Sequence, residues 1–220
     1  MKAKVTAYYK IGAQQIKATK FTGGENGIMI EQLIEKNRSY RKFHEDEEVK
    51  MEALKELVNL ARLSSCGMNM QSLRYILVTD KEDREKIYPN LKWAAFLKDW
   101  EGPEEVQRPS AFILMLKDKS KPNSAVVQVD MGIACQSILL GAVEKGLGGC
   151  IIGAFDKSKL SEAFNIRGNL ELQLVLAIGK PDQTIVLDEI SKDADTKYWR
   201  DRTGKHHVPK IRLKDVIIEK

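Results

Sequence analysis

The chain has 220 residues, 43% of them hydrophobic and 30% charged, a profile of one large or two small globular domains that excludes a disordered chain. Net charge is +5, but the basic residues are scattered among the acids and form no stripe with aromatics, so no nucleic acid is expected as partner. No uninterrupted apolar run approaches the ~18 to 20 residues of a membrane span, so no membrane is expected either.

Cys66, Cys135 and Cys150 are odd in number and widely spaced, which argues against a disulfide framework or zinc site and for a reducing, cytoplasmic setting. His44, His206 and His207 form no metal-ligand spacing, so no metal is expected. Residues 1–28 are basic, with no acid before Glu25, and lack a secretory apolar stretch. They read as an N-terminal extension without a catalytic role, ahead of a domain spanning 29–220.

Along that domain, "IMIEQLIEK" places Ile30, Leu33 and Ile34 on one helical face. "DEEVKMEALKELVNLARLS" is a stronger helix with Leu54, Leu57, Val58 and Ala61 on one side and its acids crowded into the first turn. "LRYILVTD" reads as a strand ending at Asp80, residues 81–108 as polar and irregular, and "AFILMLK" as a wholly buried strand. "SAVVQVDMGIACQSILLGAVEKGLGG" is a long helix stopped by Gly146 and Gly148. It is apolar or small around nearly its whole circumference, which suits a large core or, with Gly132, Ala134, Gly141 and Ala142, a subunit interface. "GCIIGAF" is extended, Asp156 caps a short helix reaching Phe164, and "LELQLVLAIGKP" is another strand. The branched run ending "HHVPKIRLKDVIIEK" reads as an edge strand. Helices and strands neither alternate nor segregate, which is an α+β domain.

No nucleophile is paired with a base anywhere in the chain. There is no P-loop, no G-x-S-x-G, no H-E-x-x-H and no G-x-G-x-x-G after a strand. Chemistry, if any, then belongs to a cofactor. Three segments offer contacts for an elongated, anionic, planar ligand. "NRSYRKF" sets Arg38, Ser39 and Arg41 together, and a guanidinium fork matches phosphate oxygens. "SSCGMNMQ" offers Ser64, Ser65, Asn69 and Gln71 as donors and acceptors for a heterocycle edge. "PKIR" places Lys210 and Arg212 on one strand face. Each segment alone reads equally as a solvated turn, loop or strand face.

Together with "DMGIACQSILLGAVEKGLGGCIIGAF" and "AIGKP", these segments make residues 29–220 resemble the nitroreductase family of FMN-dependent oxidoreductases. The resemblance implies a mixed sheet flanked by helices in an intertwined homodimer with two FMN sites at the interface. It also implies NADH or NADPH as co-substrate and a small-molecule electron acceptor such as a nitroaromatic or quinone. Arg38, Ser39, Lys210 and Arg212 would take the FMN phosphate, and Arg41 the N1/O2 edge of the ring. Ser65, Cys66, Asn69 and Gln71 would reach the flavin from the other subunit, and Ile152, Gly153 and Ala154 would lie beside the ring. Two departures stand out: Asn37 replaces a second basic residue, and Ser72 follows the Gln where the family has proline. A dehalogenating or flavin-destroying relative, or a flavin-holding protein without turnover, shares the same scaffold. Trp93, Phe96 and Trp100 are candidate walls over the flavin, or packing beneath their loop.

Overall fold

A computed structural model describes residues 30–219 apart from 98, 123 and 124, and the backbone of 8–11 and 14–17. The extension contributes an antiparallel hairpin of β1 (Tyr8–Ile11) and β2 (Gln14–Lys17). Helix α1 (Ile30–Lys36) leads to the short β3 (Phe43–His44) and then α2 (Met51–Leu63). Strand β4 (Leu73–Val78), α3 (Lys81–Ile87), β5 (Ala111–Asp118), α4 (Val126–Glu144) and β6 (Gly148–Ile152) follow. The chain ends with α5 (Lys157–Ala163), β7 (Leu170–Pro181), β8 (Ile185–Ile190), β9 (Trp199–Arg200), β10 (His206–Ile211) and α6 (Leu213–Val216).

The central sheet runs β3-β7-β5-β4, with β6 also on β7. Its named strands pair antiparallel, and a parallel bridge joins Ser39 to Gly149. Strand β5 lies between β4 and β7 and is covered on both faces, which explains its unbroken apolar run. Ile113 and Met115 pack with Leu54, Leu57 and Ile138 under α2 and α4. Phe112, Leu114 and Leu116 pack on the opposite face with Ile87, Trp93 and Leu160. Each such large apolar side chain contributes roughly 1.5–3 kcal/mol of burial. The α+β class and its helix-flanked sheet are therefore as the sequence suggested.

Helix α4 is 19 residues long and apolar enough to cross a membrane by composition, yet it is a core helix that packs beside α2. It stops as its glycine requires. Gly146 takes φ +71°, its N–H donates to the Val143 carbonyl, and the Leu147 N–H reaches back to Ala142. Its circumference is not wholly covered by this chain: Val129 is 60% exposed, and Gly132 and Gln136 on the same face are open. The apolar residues of α1 are likewise uncovered, with Ile30 and Ile34 both exposed.

Four local expectations change. Helix α2 begins at Met51, leaving only Glu52 in its first turn, while buried Val49 anchors the turn before it. Strand β4 ends at Val78, and Asp80 instead caps α3, accepting from the Glu82 N–H at 2.9 Å. That helix lies within 81–108, where irregular chain was expected; its charged face hid it, since it buries only Ile87. The tail does not end as an edge strand. Strand β10 is instead the centre of a separate three-stranded sheet, parallel to β8 and antiparallel to β9, and Val216 closes a short helix.

Candidate active site

The segment after α1 is held by backbone pairing. The Tyr40 N–H donates to the Gly149 carbonyl at 3.0 Å, and the Arg41 N–H donates to Gln183 Oε1 at 3.0 Å. Phe43, 0% exposed, pins the far end in the core. Phe43, the closing aromatic of "NRSYRKF", is thus an anchor, and it helps fix Arg38, Ser39 and Arg41 on the wall of a cavity of about 290 Å³. The opposite wall is β10. Its alternate residues His206, Val208 and Lys210 face the cavity, and Tyr198 joins them.

Charge in this groove is unbalanced. Among the described residues no carboxylate pairs with Arg38, Arg41 or Lys210. Arg38 donates to the Ile34 carbonyl at 2.7 Å while its enclosed Nε has no partner. Arg41 donates to the Ser39 carbonyl at 3.2 Å and lies over the Tyr198 ring, 5.0 Å from its centroid. His206 is 1% exposed and its Nδ1 has no hydrogen-bond partner. Burial first, then Arg41 and Arg200, lower its pKa to about 4, so the ring is neutral at pH 7. Beneath Arg41 the Cys150 thiol is pushed up by burial, opposed by Arg41 and Ser39; it is protonated packing, not a reagent. Three cations with no described carboxylate partner around one cavity give it donors of the kind that suit an anion.

Arg212 does not join this groove. It follows β10 as the residue before α6, and its Nε donates to Asp215 at 2.9 Å. The pair of cations expected from "PKIR" is therefore one cation, Lys210, because the strand ends before the second.

Ser65, Cys66 and Gln71 line a different cavity of about 160 Å³, between α2, β4 and α4, with Asn69 exposed nearby. The loop carrying them is strained: Met68, Asn69 and Gln71 all take φ near +50°, each costing on the order of 1 kcal/mol. Buried Asp130 holds it by accepting from the Gly67 N–H at 2.8 Å. Gly67 is needed there, since a Cβ would lie 1.8 Å from Val126 Cγ1. Within one chain this loop and the groove do not converge.

Ile152 is buried at the end of β6, while Gly153 and Ala154 are exposed beyond it and border neither cavity. The Ala154 carbonyl accepts from the Lys92 N–H at 2.9 Å. Of the three candidate wall aromatics, Trp93 is core. Phe96 stands 5.1 Å from Tyr198, and Trp100 lies under the Arg200 guanidinium at 4.7 Å. Tyr198 and His206 went unread in the sequence as groove residues. The two-residue period that links His206 to Lys210 was the available signal.

Residues 34–180 match the model of the Nitroreductase family. The chain is 26% identical over 172 residues to an iodotyrosine deiodinase of Thermotoga neapolitana, covering 70% of this chain and 89% of that protein. It is 23% identical over 180 residues to a putative NAD(P)H nitroreductase, MhqN, of Bacillus subtilis, covering 67% and 86%. Its fold resembles the solved structure of an FMN-dependent nitroreductase of Clostridium difficile, with TM-score 0.54, 23% identity and coverage of 69% and 87%. The matched segment takes in Arg38, Ser39 and Arg41 and leaves out β8 to β10, which complete the groove. With well over half its length so matched, the chain belongs to the nitroreductase family, a family of oxidoreductases.

Proposed function

We propose that the protein is an FMN-dependent NAD(P)H oxidoreductase that acts as a homodimer on nitroaromatic or quinone-type acceptors. The observation that carries this reading is the groove of Arg38, Arg41 and Lys210 with Ser39, cationic on its walls and free of any described carboxylate partner. A flavin mononucleotide fits that donor set. Arg38, Ser39 and Lys210 would hold its phosphate, and Arg41 its ring edge, where a fixed positive charge favours the reduced state. When bound, the flavin supplies hydride acceptance from a nicotinamide and hydride delivery to an electron-poor acceptor. The chain's part is positioning, with donors fixed on both walls of the groove.

The homodimer reading rests on the face of α4 that carries Val129, Gly132 and Gln136, left open in one chain. The exposed Ile30 and Ile34 of α1 and the strained loop beyond α2 add to it, because Ser65, Cys66, Asn69 and Gln71 would meet a flavin only across a subunit boundary. Ile152, Gly153 and Ala154 would border the ring there. A Cβ added at Gly153 meets only Leu174 at 3.8 Å, so its open side is free for a ligand. Reductive dehalogenation is a second reading, favoured by the 26% identity to the deiodinase. The reduced, free state of Cys66, Cys135 and Cys150 suits a cytoplasmic setting.

The test is an anaerobic absorbance spectrum of the purified protein, taken before and after NADH or NADPH. Flavin bands that bleach, and return on adding a quinone or nitroaromatic, support the reading. Return with a halogenated phenol and release of halide selects the second. A flavin that no nicotinamide bleaches indicates holding without turnover, and a protein that takes up no FMN refutes both.

A further inference from the structure

Arg200 ends β9 directly across from His206 on β10. Its Nε and Nη2 are enclosed and have no hydrogen-bond partner, and no described carboxylate pairs with it. Burial and the Arg41 charge both lower its pKa. Arg200 is half-buried, and guanidinium nitrogens left enclosed without a partner carry a desolvation cost. Stacking on Trp100 at 4.7 Å offsets part of that cost but satisfies neither nitrogen. The unpartnered Nδ1 of buried His206 lies beside it on the groove wall.

Arg200 does not itself line the groove, but it stands across the strand pair from the groove residue His206, which puts a second cation beside that end. Lys210 and His206 are four residues apart on one strand face, roughly 13 Å at ~3.3 Å per residue. A phosphate held by Arg38 and Lys210 does not also satisfy Arg200. The surroundings of the second end are aromatic: Trp100 under Arg200, and Phe96 against Tyr198 at 5.1 Å. Planar rings are favoured there, and an oxyanion attached to such a ring would meet the guanidinium.

We propose that Arg200, beside the groove, and His206, on its wall, form a second anion-binding position that selects a co-substrate bearing an oxyanion on or beside an aromatic ring. Two co-substrates carry that chemistry: an aromatic acceptor with a carboxylate, and a nicotinamide donor with the extra phosphate of NADPH. The inference rests on the flavin reading of Arg38, Ser39 and Lys210.

The experiment uses the FMN-loaded protein, with flavin content measured first. Calorimetric titration compares para-nitrobenzoate with its neutral methyl ester, and steady-state kinetics compares NADPH with NADH. In the wild type the carboxylate binds more tightly than the ester. Arg200→Met reduces that preference by about 10- to 100-fold, the worth of one charge-assisted hydrogen bond, and Arg200→Lys restores part of it. The loss falls on KM more than on kcat. A shift confined to the benzoate pair names the acceptor, and one confined to the NADPH:NADH ratio names the donor. If Arg200→Met moves neither ratio, the inference fails. If it releases the flavin instead, Arg200 belongs to the flavin site and the inference fails while the proposed function stands. A wild-type protein that holds no FMN refutes the proposed function itself.

Discussion

His206 makes the groove's electrostatics measurable without any substrate. Its pKa falls from an ordinary 6.5 to about 4, through burial first and then the charges of Arg41, Arg200 and His207. Between those values the unfolded chain takes up a proton that the folded chain refuses, so stability decreases as pH falls through this window and is unaffected by this group above it. At about 1.4 kcal/mol per unit the full shift is worth about 3 kcal/mol. The ring borders a cavity wide enough for water, so a loss of about 1.5–3 kcal/mol between pH 6.5 and 4 is expected. Urea unfolding of flavin-free protein in chloride buffer, wild type against His206→Phe, isolates it from the carboxylates that titrate in both. The wild-type curve should fall more steeply below pH 6.5, and added inorganic phosphate should flatten the difference by compensating Arg41 and Arg200. Parallel curves for the two proteins would show that His206 carries no such burden.

Further outcomes test other parts of the structure. Arg38→Ala and Lys210→Ala should each weaken FMN retention by about tenfold, whereas Arg212→Ala, whose guanidinium is paired with Asp215, should weaken it far less; equilibrium dialysis decides. Gly149→Ala would set a Cβ 2.6 Å from the Ala177 carbonyl oxygen, a backbone clash expected to cost about 1–3 kcal/mol, read as a lower urea midpoint. Gly132→Arg meets nothing within 4 Å of its Cβ inside one chain. It should leave the protomer folded but convert a dimer to a monomer in sedimentation velocity, and an unchanged dimer would place the interface elsewhere.

How far the sequence could be read follows from where its signals are local. The run AFILML is buried on both faces of β5, and an apolar run has that meaning whatever its neighbours. Gly146 and Asp156 likewise act through turns that close within a few residues. Helix α3 carried no such signal, since a helix that buries only Ile87 has almost no apolar period to detect. The groove was half legible. Arg38, Ser39 and Arg41 are adjacent in sequence, but Arg200 and His206 gain their character from a cross-strand pairing that no local pattern encodes. Arg212 was misplaced for a related reason: alternation along β10 holds only while the strand continues, and the chain turns at that residue.

The two walls of the groove lie near opposite ends of the described domain, one at 38–41 and the other at 206–210, more than 160 residues apart in the chain. During synthesis the central sheet is complete once β7 has emerged, before the second wall exists. Capture of any ligand held by both walls is then a late event, following the emergence of β10. An occupant held by both walls acts as a tether between distant segments, and it will slow the opening of the small sheet of β8, β9 and β10 more than that of the central one.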